Sequence, residues 1–234
     1  MSILDEWLKN AQYALLGPRC LLCRAPAALD RELCEACLHE LPWLEHACRY
    51  CALTLTSADT ANVCRSCARK PLFDAAVGTF SYHDPVRWFV TRLKFGGQLA
   101  HARLLGDLLG ARVLASDLPR PDLLVPVPLH KAGYRRRGFN QAMAIAQRVS
   151  RQIDCRIAPE AVTRIRDTGR QSTLPADQRA ANVRNAFICT QAIDARHVAI
   201  VDDVVTTGQT AAAVAACLKQ AGVERVDIYC VARA

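Results

Sequence analysis

The 234-residue chain has no run of about 18 apolar residues, so no membrane insertion is expected of it. Its first sixteen positions carry Asp5, Glu6 and Lys9 among the apolar ones, which does not suit a secretory signal. Leu4, Trp7, Leu8, Ala11, Leu15 and Leu16 follow helical spacing there, as in a helix docked on its neighbour. There is no Walker A pattern and no G-x-G-x-x-G, so the commonest nucleotide-binding loops have no support. No Ser/His/Asp or Cys/His constellation stands out for covalent catalysis. Low-complexity segments are absent, and at 51% hydrophobic residues the chain is not a disordered one.

Charge of one sign is in excess, and it is unevenly placed. Residues 1–70 are electrically balanced, whereas residues 130–184 carry Lys131 and eleven arginines against four acidic side chains, which accounts for the whole net charge of +8. Such a stretch attracts a polyanion or a phosphorylated small molecule, unless it is simply a solvated helix face. Its only aromatic residues are Tyr134 and Phe139, few for a groove that stacks nucleic-acid bases.

Twelve cysteines would suggest a disulfide scaffold, but their placement argues otherwise. Eight form four identical pairs, Cys20/Cys23, Cys34/Cys37, Cys48/Cys51 and Cys64/Cys67, separated by ten, ten and twelve residues. Two cysteines three apart on a tight turn present both thiolates to one ion, so two pairs complete a tetrahedral site and four pairs match two structural zinc ions. Disulfides would need an oxidising compartment, and nothing in the N-terminal segment sends the chain there. The expected location is the cytoplasm. Sequential pairing closes the shorter loops at lower entropy, although cross-braced pairing fits the same spacings. His39 and His46 lie close by but are not needed as ligands. Cys155, Cys189, Cys217 and Cys230 stand singly and read as small core residues.

The polar exit Arg69-Lys70-Pro71 marks a boundary, giving an N-terminal helix and metal-held module over 1–70 and a second domain over 71–234. In the latter, strands expected at 73–82, 122–127, 197–201 and 226–231 alternate with helices at 85–95, 99–114, 139–153 and 209–221. That alternation argues for an α/β fold with a doubly wound parallel sheet, whose ligands bind beyond the carboxyl ends of the strands.

The sharpest chemistry lies in HVAIVDDVVTTGQTAAAV, residues 197–214. An apolar strand runs into Asp202-Asp203, then Thr206-Thr207-Gly208-Gln209-Thr210, and straight into a helix. Backbone N–H groups and the positive end of the helix there suit a phosphate, and Gly208 permits close approach. The paired carboxylates can accept from a vicinal diol or hold a divalent cation through water. An ordinary capped turn needs one such residue, not five in nine.

This run resembles the phosphoribosyl pyrophosphate (PRPP) motif of type I phosphoribosyltransferases. The resemblance implies that Asp202 and Asp203 bind the ribose hydroxyls with Mg²⁺ nearby, and that Thr206, Thr207, Gly208, Gln209 and Thr210 hold the 5′-phosphate. LKFG at 93–96, VPVPLHKAGYRRRGFNQA at 125–142 and RQSTLPADQRAANVRNAF at 170–187 resemble one subfamily, the ComF/GntX-like proteins linked to DNA uptake in competence. By that likeness the segment after the 122–127 strand is a pyrophosphate loop carrying Lys131, Arg135, Arg136 and Arg137, with a strained or cis peptide near Pro126 or Pro128. Residues 167–184 read as a long polar loop of the kind that forms lids, with Arg170, Gln171, Arg179 and Asn182 as ligand contacts. Asp202, Asp203, Lys131 and Arg170 are the expected catalytic group. The implied activity is transfer of phosphoribosyl from PRPP to a nitrogenous acceptor; the alternative is a non-catalytic PRPP sensor or a single-stranded-DNA-binding accessory of the uptake machinery.

Overall fold

The computed structural model describes residues 17–27, 32–57, 59, 61–166, 186–190 and 192–234. The helix expected over 4–16 and the loop expected over 167–184 lie outside them. No helix among the described residues is long and apolar enough to cross a membrane. The chain divides into two compact units, Met1–Leu41 and Pro42–Ala234.

The smaller unit is built on its first cysteine pair. After Cys20 the chain turns back on itself, with Arg24 N–H donating to the Cys20 carbonyl at 3.0 Å and Arg24 at φ 67°. Cys34 then opens helix α1 (Glu35–His39), which brings Cys37 round to face it. The same construction recurs in the larger unit: Ala52 N–H donates to the Cys48 carbonyl at 2.8 Å with Ala52 at φ 56°, and Cys64 opens α2 (Arg65–Arg69). A turn of this kind needs one left-handed residue just past the second cysteine. The change of composition at Lys70 and the division of packing therefore fall at different places, because the second quartet packs within the larger unit.

That unit is organised by a five-stranded parallel sheet of β1 (Ala75–Ser81), β2 (Leu123–Pro126), β3 (Arg156–Ile157), β6 (His197–Val205) and β7 (Arg225–Arg233), in the order β1-β7-β6-β2-β3. A separate antiparallel hairpin pairs β4 (Val162–Arg164) with β5 (Phe187–Cys189). Helices α3 (Val86–Gly96) and α4 (Leu99–Leu114) link β1 to β2; α5 (Lys131–Arg137) and α6 (Gln141–Ile153) link β2 to β3; α7 (Gln209–Gln220) links β6 to β7. The β1→β2 and β2→β3 crossovers run one way across the sheet and β6→β7 runs the other, which with right-handed connections puts helices on both faces. Gly106 and Gly110 let α4 and α6 approach closely, since a Cβ at Gly106 would stand 2.7 Å from that of Arg148. Bidentate hydrogen bonds of 2.9 Å from Arg148 to Asp107 fasten the same pair.

The strands expected from the sequence are present, and so is α4 with the bounds expected for it. Two differences matter. β6 is longer than its apolar run because pairing with β7, which continues past the last β2 partner at Val201, carries it through Asp202 and Asp203 to Val205. The segment expected as a basic loop after β2 is instead α5, capped by His130, whose Nδ1 accepts from Ala132 N–H at 3.3 Å, and ended by Gly138 at φ 79°. The peptide bonds before Pro126 and Pro128 are trans; among the described residues the cis peptide is Asp84–Pro85.

β1 would be an open sheet edge, a surface prone to pairing with other chains. Residues 42–49 cover it: Leu44 N–H donates to Thr79 O at 3.0 Å, Ser81 N–H to Pro42 O at 2.9 Å and Ala76 N–H to Arg49 O at 2.8 Å. The fit depends on Gly78, where a Cβ would come within 2.8 Å of Ala52 Cβ and Leu44 Cδ2. Gly78→Ala should therefore cost about 1–3 kcal/mol through overpacking, seen as a lower urea midpoint at unchanged slope. An unchanged midpoint would show that this contact is not close.

Candidate functional site

β2 and β6 are neighbours, but the chain leaves β2 toward one edge of the sheet and β6 toward the other. A crevice opens at the carboxyl ends of strands related in this way. It holds a cavity of about 260 Å³ lined from the β6 side by Asp202–Ala211 and from the β2 side by Val127–Leu129 and Arg137–Ala142 in part, with Lys94 and Arg164 completing it.

The two carboxylates come from consecutive residues at the end of a strand, and both line this cavity. Asp203 is buried and is met by Lys94 of α3, Nζ to Oδ2 at 2.8 Å. The Asp202 carboxyl is pushed up to about 8 by burial, reinforced by the negative charge of Asp203; Lys94 only partly offsets this. Each aspartate also accepts from the next backbone amide, Asp203 N–H to Asp202 at 2.8 Å and Val204 N–H to Asp203 at 2.7 Å, which fixes both side chains at the strand end.

Beyond Val205 the backbone turns through Thr206 and Thr207, both exposed, to Gly208 at φ 76°. A side chain there would be strained and would press on Leu72 Cδ1 at 3.2 Å. No side chain caps the start of α7 in the usual way; Gln209 N–H makes a long 3.4 Å bond to Thr207 Oγ1. Amides and hydroxyls are thus turned outward at the positive end of a 12-residue helix, an arrangement that suits a phosphate group.

On the facing side Asn140 pins the strand end to α6. Its Oδ1 accepts from Ala142 N–H at 2.9 Å and its Nδ2 donates to Val127 O at 3.0 Å. Arg137 donates to Gln141 Oε1 at 2.9 Å and lies 5.7 Å over the Phe95 ring.

Of the residues expected from the sequence, Asp202, Asp203, Thr206, Thr207, Gly208, Gln209, Thr210 and Arg137 come together here. Lys131, Arg135 and Arg136 are exposed on α5 and are not part of the cavity lining. A helix spreads consecutive side chains about 100° apart, so of three successive arginines only one faces the crevice. Arg170, Gln171, Arg179 and Asn182 lie outside the described residues. Sequence reasoning missed Lys94, Arg164, Asn140 and Gln141 as site residues. LKFG was the available signal for Lys94, but nothing local tied it to Asp203.

The cysteines form two quartets in sequential order, Cys20/Cys23/Cys34/Cys37 and Cys48/Cys51/Cys64/Cys67, with all Sγ atoms of each within 4.8 Å of one another. Tetrahedral Zn–S bonds of about 2.3 Å require sulfurs about 3.8 Å apart; Cys23 and Cys34 stand at 3.6 Å and Cys51 and Cys64 at 3.7 Å. Burial opposes ionisation of Cys20 and Cys48, but turn amides outweigh it and bring these thiols down to about 6 and about 7. Both quartets therefore fit a structural zinc ion, with no position left for a substrate. His39 and His46 are exposed. Cys155 and Cys230 are buried as expected, whereas Cys189 and Cys217 are half-buried with their Sγ atoms 2.8 Å apart.

Metal analysis of the purified protein should find two zinc ions per chain, and one in Cys37→Ser; an unchanged content in that variant would rule out the quartet. Asp202 supplies a second expectation. An unfolded aspartate ionises near pH ~3.9, whereas folded Asp202 keeps its proton to about 8. In that window the folded chain binds the extra proton, so this group makes the ligand-free protein less stable as pH rises. Asp202→Asn should raise Tm, by an amount that grows between about pH 5 and about pH 8. A gain independent of pH would mean that Asp202 ionises normally.

A family model described as a double zinc ribbon domain matches residues 11–69, and one described as a phosphoribosyl transferase domain matches residues 134–234. The DNA utilization protein YhgH of Escherichia coli K12 is 36% identical over 220 residues, spanning 92% of this chain and 96% of its own length. Competence protein F of Haemophilus influenzae is 32% identical over 225 residues, with 92% and 97% covered. Competence protein ComFC of Bacillus subtilis is 25% identical over 205 residues, with 82% and 80% covered. With two cysteine quartets ahead of a parallel α/β sheet, and with relatives that match along almost their entire length, the chain belongs to the ComF/GntX-like family.

Proposed function

We propose that the crevice binds PRPP with Mg²⁺ and that the protein transfers its phosphoribosyl group to a nitrogenous acceptor. The observation that carries this reading is the juxtaposition, at the sheet's switch point, of an acidic pair with an uncapped Thr-Thr-Gly helix start. The 5′-phosphate takes the amides and hydroxyls of residues 206–210, and the ribose diol takes Asp202 and Asp203. Mg²⁺, when bound with PRPP, neutralises charge on the leaving pyrophosphate. Around that group this chain contributes Lys94, Arg137 and Arg164, with Arg170 and Lys131 as further candidates. The C1–O bond to pyrophosphate breaks, the acceptor nitrogen bonds to C1 and its proton passes to solvent. The cations stabilise the charge that develops. Lys94 holds Asp203 before ligand arrives, so ligand must compete with or accept that ion pair.

A second reading has support of its own. Relatives are named for competence and DNA utilization, and Lys131, Arg135 and Arg136 face solvent beside the exposed Tyr134 ring. On that reading the protein is a non-catalytic accessory whose ligand is not PRPP, and the basic helix binds single-stranded DNA or a component of the uptake machinery.

Calorimetric titration of PRPP separates the two. Wild type should bind only with Mg²⁺, and Asp202→Asn/Asp203→Asn should weaken binding by about a hundredfold or more, since two hydrogen bonds to charged groups are lost. Near pH 7 the heat should vary with the buffer's ionisation enthalpy, because Asp202 must give up its proton to act as a carboxylate. A folded, zinc-loaded wild type that binds no PRPP rejects the first reading. Oligonucleotide binding that falls steeply with salt would then favour the second.

A further inference from the structure

Arg233, near the end of β7, is 8% exposed, yet it carries a charged guanidinium into the larger unit. Its partners are main-chain oxygens from two places far apart in sequence. Nε donates to the Cys51 carbonyl at 3.1 Å. Nη1 donates to the Val205 carbonyl at 2.9 Å and also to the oxygens of Thr206 and Ala234. One side chain thus holds a metal-ligating turn with one nitrogen and the entry to the Thr206–Thr210 loop with another.

Each grip fixes more than an oxygen. The peptide unit between Cys51 and Ala52 is fastened at both ends: its carbonyl by Arg233, its N–H by the Cys48 carbonyl at 2.8 Å. A metal ion that sets the spacing of Cys48 and Cys51 therefore sets the direction of that carbonyl. At the other end, Val205 and Thr206 are joined to their successors by trans peptides, in which C=O and the next N–H point opposite ways. Holding the Val205 and Thr206 carbonyls turns the N–H groups of Thr206 and Thr207 to the side away from the guanidinium. Val205 O also accepts from Ala234 N–H at 3.0 Å, whereas the Thr206 carbonyl lies one residue beyond the last residue of β6. Without Arg233 nothing in the sheet ladder would orient it. Gly78 adds rigidity by admitting Ala52 into contact with β1, so this turn cannot shift independently of the sheet.

We propose that Arg233 is a positioning residue that couples the second cysteine quartet to the anion loop. Metal held by Cys48, Cys51, Cys64 and Cys67 and a phosphate held at residues 206–210 then strengthen each other's binding. The proposal rests on the reading of that loop as a phosphate site. The coupling is reciprocal: whatever factor zinc adds to anion affinity, the anion adds to zinc affinity. The first quartet is no part of this circuit, so its metal serves as an internal control.

The experiment uses the full chain loaded with zinc, ribose 5-phosphate as the probe, and the variants Arg233→Met and Arg233→Lys. Lysine keeps the charge but cannot reach the Cys51 and Val205 carbonyls in the fork geometry that arginine provides. Wild type should release the second-quartet zinc to a chelator about tenfold more slowly when saturated with ribose 5-phosphate. Cys37→Ser, which removes a ligand only from the first quartet, identifies that phase. Both Arg233 variants should lose most of the slowing and bind the probe about tenfold more weakly, while amide exchange at 206–209 speeds up. A full retention of the slowing in Arg233→Lys overturns the proposal, as does unchanged amide exchange in both variants. If wild type binds no ribose 5-phosphate, the phosphate-site reading fails. Amide exchange then decides the link alone: exchange at 206–209 that speeds up when the second-quartet zinc is removed keeps it, and exchange that does not rejects it.

Discussion

Two carboxylates on consecutive residues at the end of a central strand are the constraint to which the rest of the larger unit answers. β6 is paired on both sides and buried along most of its length, so its terminus is a poor place for negative charge. Burial disfavours the ionised form, and the second carboxylate makes matters worse for the first. The structure resolves this unequally, with Lys94 neutralising Asp203 and Asp202 keeping its proton into the neutral range. A strand end with one ion pair and one reluctant acid is poised to accept cationic and hydroxyl-bearing ligands, which relieve the strain that the sheet imposes.

The two cysteine quartets meet a different need. Each occupies a short segment, where metal–sulfur bonds would supply the cohesion that a core of this size lacks. In the larger unit the second quartet also closes the β1 edge and buries its cysteines in the same apolar cluster as β6 and β7. The second quartet is thus part of the sheet's own core, although a four-sulfur ion has no open coordination position.

The opposite end of the sheet shows how a buried charge is settled when no ligand is intended. Asp227 is fully buried, accepts from Arg225 at 3.0 and 3.1 Å and shares a 2.9 Å hydrogen bond with His197. Each of its carboxylate oxygens has a partner. The contrast is with Asp202 at the other end of the strands, whose ionisation is resisted by its surroundings.

Features that depend on neighbours in sequence were legible without a structure. Cysteines three apart can present both thiolates to one ion, so two quartets were legible from spacing, and loop entropy favoured the sequential pairing that the structure shows over the cross-braced one. The Asp202–Thr210 run was legible for the same reason, since one strand, one turn and one helix start place all of it. Residues 99–114 read as a helix from sequence, with the bounds that α4 has. What the tertiary structure decided are the partners brought in by strand order and helix phase. Lys94 reaches Asp203 across 109 positions only because the fold brings the last turn of α3 within reach of the end of β6. Arg137, rather than Arg135 or Arg136, enters the crevice because α5 is a helix where the chain read as a loop. Arg233 finds Cys51 because β7 lies next to β1. A buried charge chooses its partner by distance in space, and distance in space is set by the whole sheet, which no local window of sequence contains.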